Sequence, residues 1–250
     1  MAVQELVGVK EYGHYINGEW VPSESGQWFE TKSPTTGEAL AKFPKGTKND
    51  VLRAIDAAEA AFPAWKNTPP PRRGETLLRA AQIMRERKQA LGELVSSEMG
   101  KVIAEGKGDV QEAIDFLEYI AGEGRRMLGE TTPSELPNKF CMTVRQPIGV
   151  VGCITPWNFP MAIPIWKIGA ALISGNTIVF KPASLTPLCV ATLAEILEEA
   201  GLPAGVLNVV TGGGGTVGME IVTNPRVKAI SFTGGVPAGK EIYAAAAKEL

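Results

Sequence analysis

The sequence predicts an α/β fold: a Rossmann-like parallel sheet with helices on both faces, from which a β-arm protrudes. Two observations carry this prediction. In residues 148–250, short apolar runs alternate four times with helix-like segments, which is typical of a parallel sheet covered by helices. Residues 130–147 contain three prolines and interrupt the helical pattern that precedes them.

The composition narrows the class of protein. The 250 residues carry 25 basic and 27 acidic side chains, for a net charge of −2, and a single histidine. We therefore expect no nucleic-acid partner and no metal site, since neither a cationic surface nor a histidine cluster is available. The three cysteines lack C-x-x-C spacing, which predicts a cytoplasmic protein. The sequence has no long uncharged apolar run, so we expect no membrane partner.

The first 129 residues predict a small β-element followed by helices. Asn17-Gly18 lies between short aromatic and β-branched runs in residues 14–32, which is the signal of a type I′ hairpin. Apolar residues then recur at intervals of three and four, which predicts three helices, at residues 47–66, 71–101 and 102–127.

Residues 130–147 predict a β-arm, because Phe140, Met142 and Val144 alternate along its second half. We expect this arm to interrupt a single domain without ending it. The domain then consists of residues 1–129 and 148–250.

The remaining chain predicts four βα units. The strands are expected at residues 149–155, 177–181, 206–211 and 229–233, and the helices at 161–173, 187–200, 216–223 and 237–250. A parallel sheet of this kind binds ligands at the carboxyl ends of its strands. The four loops that follow the strands should therefore meet in space.

Two of these loops are rich in glycine. Gly213, Gly215 and Gly218 fit G-x-G-x-x-G, but the next strand lacks the acid that a ribose contact requires, so a tight turn with positive φ is favoured. The segment GGVPAGK at 234–240 resembles a phosphate loop, but Glu241 stands where Ser or Thr should hold magnesium. What remains is either a helix N-terminus suited to a phosphate or a glycine turn without a ligand.

The other two loops carry polar side chains. Lys181 ends an apolar strand, where it either extends to solvent or binds ribose hydroxyls or a phosphate, with Ser184 beside it. Asn158 either caps the following helix or donates to an oxyanion on a substrate carbonyl. Pro156 and Trp157 favour the second role, because a rigid φ and a bulky ring would fix the position of the amide.

Four segments together resemble the aldehyde dehydrogenase superfamily: TPWNFP at 155–160, KPAS at 181–184, AGLPAGVLNVVTG at 200–212 and FTGGVPAG at 232–239. The likeness runs from residue 16 to the last residue. It implies oxidation of an aldehyde to a carboxylic acid through a cysteine thiohemiacetal, with hydride transfer to NAD or NADP and hydrolysis of a thioester. It also implies a homodimer or homotetramer joined through the arm.

The resemblance assigns roles to residues of this sequence. Asn158 matches the oxyanion-hole amide, Lys181 and Ser184 match ribose contacts, and residues 234–239 match the pyrophosphate turn. The cofactor-binding positions it implies are Thr155, Pro156, Trp157, Lys181, Ser184, Gly214, Gly218, Phe232, Thr233, Gly234, Gly235 and Gly239.

The resemblance also implies that two catalytic groups lie outside the chain. The general base of the family belongs to a Glu-Leu-Gly-Gly segment, and Glu249-Leu250 is interpreted as the helix end that precedes it. Cys141, Cys153 and Cys189 do not match the nucleophile and are expected to be packing cysteines. The chain is thus expected to be the cofactor-binding half of an enzyme, without the catalytic domain. A standalone nucleotide-binding or scaffold protein is the alternative.

Substrate and cofactor choice are predicted from two segments and from four positions within or near them. YIAGEGRRMLGE and NFPMAIPIWK resemble dehydrogenases of small dicarboxylic semialdehydes such as 2-oxoglutarate semialdehyde. Arg125 or Arg126 is expected to receive the substrate carboxylate, the alternative being solvated surface arginines. Trp166 stands where succinate-semialdehyde enzymes tend to carry arginine. Ser184 replaces the glutamate of many strictly NAD-using relatives, which predicts that NADP+ is accepted.

Overall fold

The computed structural model describes residues 9–249 and contains eight α-helices and eleven strands over that range. The helices are α1 Lys48–Asn67, α2 Pro70–Glu86, α3 Lys88–Met99, α4 Ile103–Glu123, α5 Ala162–Ile173, α6 Pro187–Glu199, α7 Met219–Thr223 and α8 Val236–Ala246. The strands are β1 Lys10–Glu11, β2 His14–Ile16, β3 Glu19–Val21, β4 Trp28–Lys32, β5 Ala39–Pro44, β6 Thr131–Thr132, β7 Cys141–Met142, β8 Val150–Ile154, β9 Thr177–Lys181, β10 Leu207–Val209 and β11 Val227–Phe232.

The central sheet has six strands in the order β11-β8-β9-β10-β2-β3. Strands β11, β8, β9 and β10 are parallel, as the four βα units predict. The chain passes from β8 outward to β10 and then returns to the other side of β8 as β11. The order of the strands therefore reverses beside β8, and ligands bind at such a point in open α/β sheets.

Helices cover both faces of this sheet, which confirms the predicted fold class. Alternate residues of β8 and β9 face opposite sides, so Ile178 and Phe180 pack with α2 to α6, whereas Val179 packs with α1 and α7. Most of the buried side chains on each face are apolar, which fixes the register of the strands that carry the site.

The predicted hairpin is confirmed, because Asn17 and Gly18 have φ of 54° and 80° between β2 and β3. Its partner was not predicted: β2 pairs antiparallel with β10 and extends the parallel sheet. Strand β2 also brings the single histidine, His14, against Thr211, whose N–H donates to Nδ1 at 3.3 Å. Burial lowers the pKa of His14 to about 4, so the ring is neutral.

Two other parts of the first 129 residues differ from the prediction. The stretch expected to be one helix at 71–101 is two, α2 and α3, because Arg87 has φ −101° and ψ 10° and turns the chain. Strand β5 was not predicted, and it joins β1 and β4 in a separate three-stranded sheet.

The segment 130–147 contains the antiparallel pair β6–β7, and the side chains of Phe140, Met142 and Val144 are exposed. Helix α8 was predicted to reach residue 250; it ends at Ala246 and is followed by a 3₁₀ turn, and Leu250 lies outside the described residues. In the range 9–249, no helix combines the length and the apolar character that crossing a bilayer requires.

Candidate functional site

The loops that follow β8, β9, β10 and β11 meet at one edge of the sheet. The Thr155 N–H donates to the Lys181 carbonyl at 3.3 Å, and the Thr233 N–H donates to the Ile154 carbonyl at 3.1 Å. The Ser184 hydroxyl donates to the Gly212 carbonyl at 3.3 Å. The candidate site is therefore one continuous surface built from four separate segments.

Lys181 is buried at this edge, with 6% of its surface exposed, so the interpretation that it extends into solvent is wrong. Its Nζ donates to the Pro182 carbonyl at 2.8 Å, and no carboxylate within the described residues forms an ion pair with it. Burial lowers the pKa of the ammonium group to about 8. An ammonium group has three donors, so Lys181 retains capacity for a ligand.

Asn158 does not cap a helix. The N-cap of α5 is Met161, three residues further on, and it makes no side-chain cap hydrogen bond. Among the described residues no hydrogen-bond partner is found for the Asn158 amide, which is exposed between Trp157 and Phe159, 49% and 36% exposed. The amide is thus available to an external acceptor, as an oxyanion donor requires.

The glycine run after β10 leaves open space. The tight turn with positive φ was predicted at the glycines of the G-x-G-x-x-G match, but positive φ occurs only before them, at Gly212, with φ 146°. A Cβ built on Gly213, Gly214 or Gly215 meets no atom within 4 Å. Residues Gly214–Gly218 form a π-helical turn, and Gly218 lies against the Lys181 stem, 3.5 Å from a built Cβ to Cδ.

The loop after β11 places the Phe232 ring over two glycines. A Cβ on Gly234 would lie 2.5 Å from the ring Cζ, and one on Gly239 would lie 3.2 Å from Cε1, so both positions require glycine or a shift of the ring. Helix α8 begins after Gly235 without a side-chain cap. Its first N–H groups are therefore available to an anion.

The structure does not bring Arg125 and Arg126 to this edge. Helices α4 and α5 pack side by side: Asp109 contacts Ala162 at the start of α5, and Gly124 contacts Ile173 at its end. Because α5 has 12 residues, the arginines lie roughly 18 Å from the Asn158 loop along the helix. Arg126 instead pairs with Glu123 at 2.7 Å. Trp166, one turn into α5 and 36% exposed, lies much nearer to the loop.

The cysteines offer no activated nucleophile at the site. Cys153 and Cys189 are buried, and burial raises the pKa of Cys153 to about 12 and that of Cys189 well above its usual value. Cys141 is exposed on the arm, so its interpretation as a packing cysteine is wrong. In residues 9–249 no group of three or more His, Cys, Asp or Glu side chains could hold a metal ion.

Sequence reasoning missed four charged side chains beside the site. Three of them lie on or next to α3 and α4: Glu98, Lys101 and Asp109. Because these residues are far from the site loops in sequence, local patterns do not indicate their buried contacts. Lys167 carried a signal, because it is a lone lysine in the apolar helix α5. Its Nζ donates to Ser231 on β11 at 3.1 Å, and burial lowers its pKa.

An open glycine-rich turn beside the point where the strand order reverses is typical of dinucleotide-binding α/β proteins. Here a buried lysine and an exposed amide lie at the same edge of the sheet. The model of the aldehyde dehydrogenase family matches residues 20–250, and the chain belongs to that family. It is 44% identical to an alpha-ketoglutarate semialdehyde dehydrogenase of Haloferax volcanii, over 92% of this chain and 48% of that protein.

Two further comparisons point the same way. The chain is 42% identical to the succinate-semialdehyde dehydrogenase [NADP(+)] of Escherichia coli, over 94% of this chain and 49% of that protein. It superimposes with a TM-score of 0.93 on a betaine aldehyde dehydrogenase variant of Staphylococcus aureus in complex with NAD+, at 35% identity over 96% of this chain and 49% of that one. The chain thus spans about half the length of the curated relatives it matches.

Proposed function

We propose that the chain is the cofactor-binding half of an NAD(P)+-dependent aldehyde dehydrogenase, which oxidises a small semialdehyde to a carboxylic acid. The observation that carries the proposal is the meeting, at one sheet edge, of a buried lysine and an asparagine amide. Within residues 9–249 the lysine has no acidic partner and the amide has no hydrogen bond. A standalone nucleotide-binding or scaffold protein has no use for the second group.

The residues present fit a dinucleotide. The space over Gly213, Gly214 and Gly215 is open, and the uncapped start of α8 after Gly235 offers N–H donors to a pyrophosphate. Lys181 and Ser184 lie between these features and would hold the ribose hydroxyls or a 2′-phosphate. Thr155, Pro156, Trp157, Gly214, Gly218, Phe232, Thr233, Gly234 and Gly239 would complete the cofactor contacts. When bound, NAD(P)+ supplies the hydride acceptor.

Asn158 would act on the substrate. Its Nδ2 would donate to the aldehyde oxygen, where negative charge develops as a nucleophile adds to the carbonyl, and loss of one such donor costs about 3–4 kcal/mol. Trp157 and Phe159 flank the amide with exposed aromatic surface that can exclude water. The nucleophile and the general base are proposed to come from residues other than those described, because no described cysteine is both activated and near the site.

The substrate proposal rests on the relatives. The two curated relatives named above act, by their names, on semialdehydes of 2-oxoglutarate and succinate. Trp166 is proposed to border the substrate. Arg125 and Arg126 are too far from Asn158 to bind the carboxylate of a substrate whose aldehyde group lies at that amide. A panel comparing carboxylated with plain aliphatic aldehydes would test this part, and equal kcat/KM for both classes would contradict it.

The location and assembly of the protein belong to the same proposal. All three cysteines are free thiols, which fits a reducing cytoplasm. The arm exposes large apolar side chains that fit a subunit interface in a homodimer or homotetramer.

The test is Asn158→Ala in the complete protein. Turnover should fall about 100-fold or more while the Kd for NAD(P)+ stays nearly unchanged, because the amide acts on the developing oxyanion. Asn67→Ala is the matched control, since that amide is exposed at the end of α1, away from the site loops. Unchanged turnover in Asn158→Ala would contradict the oxyanion role of this amide, and no aldehyde oxidation by the wild type would favour the standalone nucleotide-binding alternative.

A further inference from the structure

We infer that two buried carboxylates, Asp109 and Glu98, are separate positioning residues for the two halves of the site: Asp109 for the Asn158 loop and Glu98 for the Lys181–Ser184 loop. This inference rests on the proposed function. Neither residue touches the site; each holds the start of the helix that follows one loop.

Asp109 fixes the start of α5. Its side chain is fully buried, and Oδ1 accepts the Ala162 N–H at 2.7 Å. Helix α5 has no side-chain cap of its own, so this contact from α4 replaces one. A carboxylate at a helix N-terminus also interacts favourably with the helix dipole.

Lys101 contacts both Asp109 and the Asn158 loop. Its Nζ lies 3.6 Å from Asp109 Oδ2 and 4.0 Å from the centroid of the Phe159 ring, and its side chain is 6% exposed. Phe159 directly follows Asn158. The loop is therefore held through a cation–π contact beside Asn158 and through a charged hydrogen bond at Ala162.

Glu98 fixes the start of α6 in the same way. Its Oε1 accepts the Leu188 N–H at 2.7 Å and its Oε2 accepts the Cys189 N–H at 2.8 Å. Thr31 on β4 donates to the same carboxylate at 3.0 Å. Helix α6 also lacks a side-chain cap of its own, and it follows directly on the loop that carries Lys181 and Ser184.

These caps differ from the ordinary cap elsewhere in the molecule. Helix α1 is capped by its own Thr47 and Asp50 in a capping box, and Ser23 and Glu24 only add hydrogen bonds to the Asp50 carboxylate. Helices α5 and α6 are capped from α3 and α4, which ties both site loops to the same helical layer. Within residues 9–249, no side chain caps the start of α8 in this way.

The test is a crossed comparison of Asp109→Asn and Glu98→Gln in the complete protein. Asp109→Asn should lower kcat about 10-fold or more with the Kd for NADP+ changed less than about 2-fold, because small displacements of an oriented group are costly. Glu98→Gln should raise the Kd for NADP+, measured by quenching of tryptophan fluorescence, with kcat at saturation nearly unchanged. Equal changes of both parameters in both variants would overturn the inference.

Two readouts separate positioning from general destabilisation. Asp109→Asn should add nothing to the loss of kcat in Asn158→Ala, because a residue that acts through another is not additive with it. Hydrogen exchange should quicken in the peptide 156–163 of Asp109→Asn and in the peptide 182–190 of Glu98→Gln, and not the reverse. Additive losses of kcat, or exchange that quickens equally in both peptides, would contradict the inference.

The outcomes distinguish this inference from the proposed function. If the wild type does not oxidise aldehydes, the proposed function fails and the exchange pattern alone decides the inference. If Asn158→Ala lowers turnover but Asp109→Asn does not, the inference alone fails. Should Asp109→Asn not fold, Lys101→Met keeps most of the side-chain volume and is expected to lower kcat in the same direction.

Discussion

A buried ammonium group needs a reason, because burial favours its neutral form. Lys181 has one carbonyl acceptor, at Pro182, and its pKa is lowered to about 8 by burial alone. Near neutral pH it is still cationic, and under the proposed function this charge is available to the phosphate or ribose of the cofactor. By contrast, the side chains of Arg53 and Arg226 are 47% and 36% exposed and are paired with carboxylates.

Ser184 is expected to set cofactor choice at this lysine. The wild-type protein should accept NADP+, and Ser184→Glu should lower kcat/KM for NADP+ relative to NAD+ by roughly 10-fold to 150-fold, because a carboxylate repels the 2′-phosphate near Lys181. Ser184→Gln has a similar size without the charge and is the control. Steady-state kinetics with both cofactors are the measurement; an unchanged ratio in Ser184→Glu would show that another residue sets the choice.

At the scale of elements, the close contact of α3 and α4 decides where Glu98, Lys101 and Asp109 lie. Two glycines allow that contact: a Cβ on Gly92 would lie 2.6 Å from Lys107 Cγ, and one on Gly106 would lie 2.6 Å from the Gly92 carbonyl oxygen. The positions of Asp109 and Glu98, which cap α5 and α6, therefore depend on how closely α3 and α4 approach each other.

This contact gives a prediction with an internal control. Gly106→Ala should lower the free energy of unfolding by about 1–3 kcal/mol, because the new methyl group overpacks the interface. Gly108→Ala, two residues further along the same helix, meets no atom within 4 Å and should raise it by about 0.5–1 kcal/mol. Urea unfolding of both variants is the measurement, and equal effects of the two would contradict the packing explanation.

At the scale of the whole molecule, the candidate site and the exposed apolar surface lie on different parts of the chain. The site lies where the strand order reverses beside β8, whereas the arm carries the exposed apolar side chains. The large side chains exposed along and beside the arm are Leu128, Leu136, Phe140, Met142, Val144 and Ile148. Exposed patches of this kind mark interaction surfaces. The arm leaves the domain between α4 and β8, so its contacts would leave the sheet and the site unchanged.

We expect a charge on the arm to weaken assembly without touching the site. Phe140→Asp, at a side chain 74% exposed, should shift the complete protein towards smaller species in light scattering coupled to size exclusion. Lys139→Asp introduces the same carboxylate at the neighbouring exposed position and should leave the mass unchanged. The Kd for NADP+ should be the same in both variants, and an unaltered mass in Phe140→Asp would exclude that side chain from a subunit contact.

Local patterns were sufficient for the parts of the fold that short segments dictate. Asn17-Gly18 predicted the hairpin because few residues adopt two successive positive φ angles, and the alternation of apolar runs predicted four βα units because side-chain period and strand length are local properties. The carboxyl ends of those strands predicted the edge at which Lys181 and Asn158 lie. For each of these two side chains the sequence left two alternatives: solvent or a ligand for Lys181, and a helix cap or a substrate oxyanion for Asn158.

Tertiary structure decided what depends on residues distant in sequence. The break at Arg87, the pairing of β2 with β10 and the contacts of Asp109 and Glu98 with α5 and α6 follow from packing between segments, which no local period records. The same packing overturned the prediction for Arg125 and Arg126, because α4 and α5 lie side by side and carry the arginines to the opposite end of α5. Sequence therefore determined which groups the sheet edge presents, and long-range contacts determined which of them are free, which are held and which lie elsewhere.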